Sequence, residues 1–224
     1  NHIENFGFDK NIAIAGGIPD NDNLAKFTRS DSTILVIPNF ILKKELGGYR
    51  FDQCKKSLVL NKEVMEKMKL LDLQNRTGKK VVFKLKHRMS KPCDVEEDFI
   101  KNSVPKGLQY EIIHNVPSEH KLVSDASVVL TYGSTMAFKS LQIGIPTVIY
   151  KELGHVGNFS EYGGVINVGD SYDHILDKDF FTEKDRIKFL EKTISGGCSF
   201  TSTEKYVNSF YKKLGRKDLI KWVI

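Results

Sequence analysis

Apolar and polar positions alternate along the chain in short blocks. Five apolar runs are rich in β-branched residues and too short for helices, which predicts buried strands: Asn11 to Ala15, Thr33 to Ile37, Val81 to Phe83, Ser127 to Leu130 and Thr147 to Tyr150. Tyr110 to Ile113 and Gly164 to Val168 read as two more. Between them the period lengthens. From Lys62 to Leu73, apolar residues fall at Val64, Met65, Met68 and Leu71, close to the 3.6-residue repeat of a helix. Further helices are predicted over Glu96 to Asn102, Ser118 to Val123 (with Ser118 as cap), Thr135 to Ile143, Lys184 to Thr193 and Thr203 to Leu214. Gly144 and Pro146 stop the helix that begins at Thr135.

Strand alternating with helix predicts the α/β class: a Rossmann-like parallel sheet with helices on both faces. Residues 1–30 read as a linker or the remnant of a preceding domain, with the linker itself near 16–31. Residues 31–200 read as the sheet domain and 201–224 as a C-terminal helix. Ligands of such sheets bind beyond the carboxyl ends of the strands. The segments to inspect therefore follow Phe83, Ile113, Leu130 and Tyr150.

Composition narrows the class. With 224 residues, 40% of them hydrophobic, the chain has enough apolar mass for a core and is not disordered. It holds no apolar window long enough to span a bilayer, and Asn1-His2-Ile3-Glu4 lacks a signal-peptide profile. The chain starts without Met, which suggests a piece of a longer protein. Three cysteines, Cys54, Cys93 and Cys198, give neither a disulfide framework nor a zinc set, as expected of a reducing cytoplasm. A net charge of +6 favours anionic partners: phosphates, nucleotides, nucleic acid or anionic lipid. No zinc finger, recognition helix or aromatic RNA motif accompanies the charge, so specific nucleic-acid binding ranks last.

Two segments carry candidate chemistry. Leu130-Thr-Tyr-Gly-Ser-Thr-Met136 runs from a strand into a helix. Free N–H groups at a helix start attract phosphate, Gly133 permits close backbone approach, and the Ser134 and Thr135 hydroxyls can donate to phosphate oxygens. The plainer reading is that Ser134 is an N-cap whose side chain accepts from the backbone. Lys84-Leu-Lys-His-Arg88 places basic groups at the end of another parallel strand. This suits an anion, although such loops are commonly just solvated.

The order Ser124-Asp125-Ala126, strand, Gly133-Ser134-Thr135, helix, Gly144-x-Pro146, strand resembles the nucleotide-binding domain of GT-B glycosyltransferases, particularly those that build bacterial surface and capsular polysaccharide. The basic segment resembles the K-x-H-P motif of CMP-sugar-using Kdo transferases and sialyltransferases, with Arg88 where that family has proline. The resemblance implies the C-terminal half of a GT-B architecture and a nucleotide-sugar donor, CMP-linked or another NDP-sugar. In it, His87 would be the catalytic group facing the leaving phosphate. Lys84 and Arg88 would stand beside it, and Gly133, Ser134 and Thr135 on the other side, at an adjacent strand end. His114, Asn115 and Val116 would lie along the nucleobase. Lys139 occupies the place of a ribose-binding Glu; lysine has only donors, so it would contact a phosphate or a sugar carboxylate, or face solvent.

Neither metal nor cofactor is expected. The segment from Glu152 to Asn158, with His155, suits a sugar-facing loop. The partners implied are the nucleotide sugar and a glycan or lipid-linked acceptor. The basic tail from Tyr211 to Ile224 fits either an anionic membrane surface, giving a peripheral inner-membrane location, or a last helix crossing to a partner domain. The alternatives are a nucleotide-sugar 2-epimerase and a non-catalytic nucleotide-binding module.

Overall fold

A computed structural model describes residues 19–38, 62–85, 94–114, 116, 118–131, 134–151, 159, 161–177, 180–194, 200 and 202–215. The strand expected over Asn11 to Ala15 lies outside them. The strands are β1 (Thr33–Ile37), β2 (Lys80–Lys84), β3 (Tyr110–Ile113), β4 (Ala126–Thr131), β5 (Thr147–Tyr150) and β6 (Val165–Ile166). The helices are α1 (Lys62–Lys67), α2 (Leu70–Thr77), α3 (Asp94–Ser103), α4 (Glu119–Ser124), α5 (Met136–Gln142), α6 (Asp173–Leu176), α7 (Glu183–Thr193) and α8 (Ser202–Lys213). A 3-10 helix, Pro19–Lys26, precedes β1.

The six strands are all parallel and lie in the order β3-β2-β1-β4-β5-β6. This is the doubly wound Rossmann order, in which the chain leaves β1 toward one side and returns to β4 on the other. The alternation of side chains explains the two covered faces. Ile34, Val36, Val81, Phe83, Val128 and Leu130 pack with Met65, Met68, Leu70, Leu73 and Ile100 on the face covered by α1, α2 and α3. Leu35, Ile37, Val82 and Val129 pack with Val123, Met136 and Ile145 on the opposite face. There Phe138, Leu141, Phe159, Tyr162, Phe189 and Leu190 extend the core beneath α5 and α7.

The helix predicted from Lys62 to Leu73 is two helices. Lys69 adopts the left-handed conformation (φ 49°) between them. The Met68 carbonyl at this break accepts from the buried Tyr172 hydroxyl, so the interruption leaves no orphan acceptor there. Ser118 caps α4 as expected, its Oγ accepting from Lys121 N at 3.2 Å. Gly144 terminates α5 with a φ of 74°, which an L side chain rarely adopts. The 3-10 helix buries Asn21 and Leu24, lies against α4, and is covered by α8 returning from the far end of the chain.

Candidate functional site at the carboxyl edge of the sheet

Register fixes which residues share the carboxyl edge. Val36 is level with Phe83 on one side and Leu130 on the other, and Ile37 with Thr131. Lys84 is level with Ile113, and Thr131 with Ile149. The ends of β2, β1 and β4 thus form one row. The basic segment and the Ser134 turn start from the same edge, but their strands are not neighbours as the sequence suggested. β1 stands between them, because the chain crosses over after β3 and β4 pairs with β1. The separation is two strand spacings, about 10 Å. The switch point of the sheet is therefore β1/β4, where Pro38 follows Ile37. The segment after β1 did not figure among the sequence candidates.

At β4, Thr131 is fully buried and its Oγ1 accepts from Ser134 N at 3.2 Å. Ser134 Oγ accepts from Met136 N at 3.3 Å, so the plain capping geometry is present, with the hydroxyl proton left for another acceptor. Thr135 is exposed and makes no side-chain cap bond. Gly133 lies outside the described residues.

At β2, Lys84 is only 8% exposed. Its ammonium donates to the Leu85 carbonyl at 2.8 Å and the His114 carbonyl at 2.9 Å, binding the ends of β2 and β3 together. Among the described residues it has no carboxylate partner. A buried cation held only by carbonyls keeps much of its several-kcal/mol desolvation cost. Its third N–H can meet an anion at the sheet edge. His87 and Arg88 lie outside the described residues.

At β3, His114 Nε2 sits 2.8 Å from Glu97 Oε2 of α3, while the other Glu97 oxygen takes Lys101 Nζ at 2.6 Å. The Lys101 hydrogen bond first, and His114 second, hold the Glu97 carboxyl below its ordinary value. Among the described residues, His114 Nδ1 is buried with no partner. Val116 is half-buried; Asn115 lies outside the described residues.

Lys139 does not face solvent, the last of the roles the sequence offered. It is 8% exposed, and its Nζ meets Asp20 Oδ2 at 2.8 Å and Glu119 Oε2 at 3.4 Å. Its position one turn into α5 aims it across to α4 and the 3-10 helix rather than at solvent. His120 Nε2 joins the group, 2.8 Å from the Asp20 carbonyl oxygen. Two carboxylates, of Asp20 and Glu119, thus stand beside position 139. Glu119, in the first turn of α4 and 46% exposed, was not singled out from the sequence, because nothing local pairs it with a residue twenty positions on.

A cavity of about 250 Å³ lies at the opposite edge, where Arg29, Gly144, Phe180 and Arg186 line it before β5. Arg186 donates to the Leu141 and Gln142 carbonyls and Arg29 to that of Gly144, so both guanidinium groups serve the carboxyl end of α5. Among the described residues no His, Cys, Asp and Glu group could hold a metal ion, and no helix is long and apolar enough to cross a membrane. The segment holding His155 lies outside them.

No protein family and no curated protein matches the chain. Solved structures do. The S. aureus MnaA structure with UDP shares 12% identity at a TM-score of 0.54, covering 96% of this chain and 58% of that one. UDP-GlcNAc 2-epimerase from Neisseria meningitidis bound to UDP-GlcNAc shares 14% at 0.52, covering 95% and 58%. The wall teichoic acid polymerase TagF, as its H444N form with CDPG, shares 12% at 0.50, covering 93% and 51%. The chain thus has the Rossmann-like fold found in GT-B nucleotide-sugar enzymes, and spans just over half the length of these neighbours.

Proposed function

We propose that this chain is the nucleotide-sugar-binding domain of a GT-B glycosyltransferase that builds surface polysaccharide. The observation that carries the reading is Lys84: a buried ammonium that has no carboxylate among the described residues, at the carboxyl edge of a parallel sheet and one strand from its switch point. A nucleotide phosphate is the anion such a cation lacks. The nucleotide would lie along the edge, with phosphate between Lys84 and the Ser134 turn, ribose hydroxyls within reach of Glu119, and base toward β3. His87 and Arg88 would add charge from the β2 side, and Gly133 and Thr135 would complete the β4 side.

In the transfer, the acceptor hydroxyl oxygen bonds to the anomeric carbon as the bond from that carbon to the phosphate oxygen breaks. The electron pair leaves with the nucleotide, whose growing negative charge Lys84, Arg88 and a protonated His87 offset. The acceptor proton goes to a base supplied from outside this domain. Neither metal nor cofactor is required in this scheme. The partners are the nucleotide sugar and a glycan or lipid-linked acceptor at the cytoplasmic membrane face.

Thermal-shift measurements with CMP, CDP, UDP and GDP test the reading. A ligand selective for the folded state raises the melting temperature, by about 2.7 kcal/mol of stability at a hundred times its Kd. CMP or CDP should give the largest shift and UDP the next. No shift with any of the four would sink the assignment. With the full-length enzyme and a donor sugar, nucleotide release that depends on acceptor marks a transferase, whereas an epimerised free nucleotide sugar would overturn that in favour of an epimerase.

A further inference from the structure

Helix α8 packs on the 3-10 helix through one face. Asn208 marks that face, since its side-chain oxygen is shielded from water. Two positions on, at about 100° per residue, Phe210 lies on the other side of the helix, where it is 51% exposed. Leu214, one turn further, is 58% exposed. Among the described residues these two are the large hydrophobic side chains left exposed. A single apolar residue on a surface needs no explanation, but these share one stripe. Leu214 N donates to the Phe210 carbonyl at 3.0 Å, so the helical turn continues past Lys213 and keeps them aligned. Tyr211 widens the stripe, its ring centre 6.1 Å from that of Phe210.

The charges around the stripe decide what covers it. Lys212 and Lys213 lie between Phe210 and Leu214, and both are exposed. The sequence then continues with Arg216, Lys217 and Lys221 against one acid, Asp218, and with Trp222. The core of a protein–protein contact is depleted in lysine. An anionic bilayer accommodates both kinds of residue. Apolar side chains enter the boundary between headgroups and acyl chains, while lysine stems lie along them and the ammonium groups stay among the lipid phosphates. We infer that the end of α8 is a docking surface for anionic lipid, with Phe210 and Leu214 inserting and Lys212 and Lys213 supplying the attraction. The inference goes beyond the nucleotide reading, which calls for an acceptor at a membrane but names no surface that reaches one. It can fail while that reading stands.

Co-sedimentation with phosphatidylcholine vesicles, with and without phosphatidylglycerol, tests it. The chain should bind the mixed vesicles and not the neutral ones, and added salt should release it. Replacing both apolar residues, Phe210→Ser with Leu214→Ser, should weaken binding about tenfold. Lys212→Gln with Lys213→Gln should weaken it about fivefold for each lysine removed. All four side chains lie at the surface, so both double variants should keep the wild-type melting temperature and the wild-type response to nucleotides. The lysine pair alone decides the matter should the serine pair fail to fold. Binding to mixed vesicles that the variants leave unchanged would put the attraction elsewhere on this basic chain and overturn the inference. Equal binding to neutral vesicles would overturn it too. A wild-type chain that binds neither vesicle, but forms a dimer by light scattering that the serine pair abolishes, would make the stripe a contact between copies. Failure to bind either vesicle as a monomer would overturn the inference as well, with any nucleotide-induced thermal shift untouched.

Discussion

Lys84 and Lys139 are equally buried, at 8% exposure each, yet they sit in opposite electrostatic settings. Lys139 lies between the carboxylates of Asp20 and Glu119 and locks the 3-10 helix onto α4 and α5. Lys84 has two carbonyls and, among the described residues, no carboxylate. Both bury an ammonium, but among the described residues only the first is offset by charge. A cation neutralised internally belongs to the scaffold. One left with only dipoles around it, at the edge where doubly wound sheets bind ligands, is poised for an anion from outside. Proximity to a phosphate-type loop in sequence would have ranked the two the other way round, since Lys139 is four residues beyond Thr135.

The largest effect expected from this contrast is on ligand affinity at Lys84. Lys84→Met keeps the apolar stem and deletes the charge. A hydrogen bond to a charged group contributes about 1.5–3 kcal/mol, so nucleotide affinity should fall roughly 10- to 100-fold by calorimetry. Raising salt should weaken the wild-type chain's nucleotide binding more than the variant's. Affinity within about twofold of wild type would make Lys84 a structural clamp between β2 and β3 and remove the main support for the nucleotide reading.

What could be read in the sequence divides along physical lines. Strands β1 to β5 and the caps at Ser118 and Gly144 follow from local chemistry: β-branched runs, a side-chain oxygen three residues before an amide, a glycine at positive φ. The break at Lys69 did not, because the periodicity of Met65, Met68 and Leu71 continues through it. Its stabilising contact is the Tyr172 hydroxyl, more than a hundred residues away. Strand order was likewise hidden. Nothing near Leu130 says that β4 pairs with β1, so the two basic and hydroxyl-bearing segments were placed side by side when a strand separates them. The partners of Lys139 and His114, Asp20 and Glu97, are also products of tertiary packing. Residue types could be read as candidates; their counter-charges could not.

The second effect is on stability at Lys139. Lys139→Glu replaces the neutralising cation with a third carboxylate beside Asp20 and Glu119. Like charges this close, with one partly buried, should cost about 2 kcal/mol, which for a domain of this size lowers the melting temperature by roughly 4–8 °C. Added salt should return part of it, because Asp20 and Glu119 are 60% and 46% exposed. A melting temperature within about 1 °C of wild type would mean that the 3-10 helix is held by Leu24 and its apolar contacts alone, and that Lys139 is no more committed to the scaffold than Lys84.

The smallest effect isolates one carboxylate. The hydrogen bond from Lys139, with the nearby charges of Lys139 and His120, holds the Asp20 carboxyl below its ordinary 3.8. A carboxyl whose folded value is depressed binds protons more weakly in the folded state. Its contribution to stability is therefore complete above 3.8 and is lost as the pH falls through the lower folded value. Exposure limits the size, and an ion pair this open is worth under about 1 kcal/mol. Glu97 and Asp173 are depressed too, by Lys101 and by Ser171 with Arg76, so the raw acid limb mixes several groups. The difference between wild type and Asp20→Asn cancels the others. At neutral pH the variant should melt slightly lower, and the gap should close as the pH drops below 3.8. A gap that stays constant with pH would show that Asp20 acts through its backbone bond to His120 rather than through its charge. The contrast between the two lysines would then rest on Glu119 alone, at its longer 3.4 Å separation.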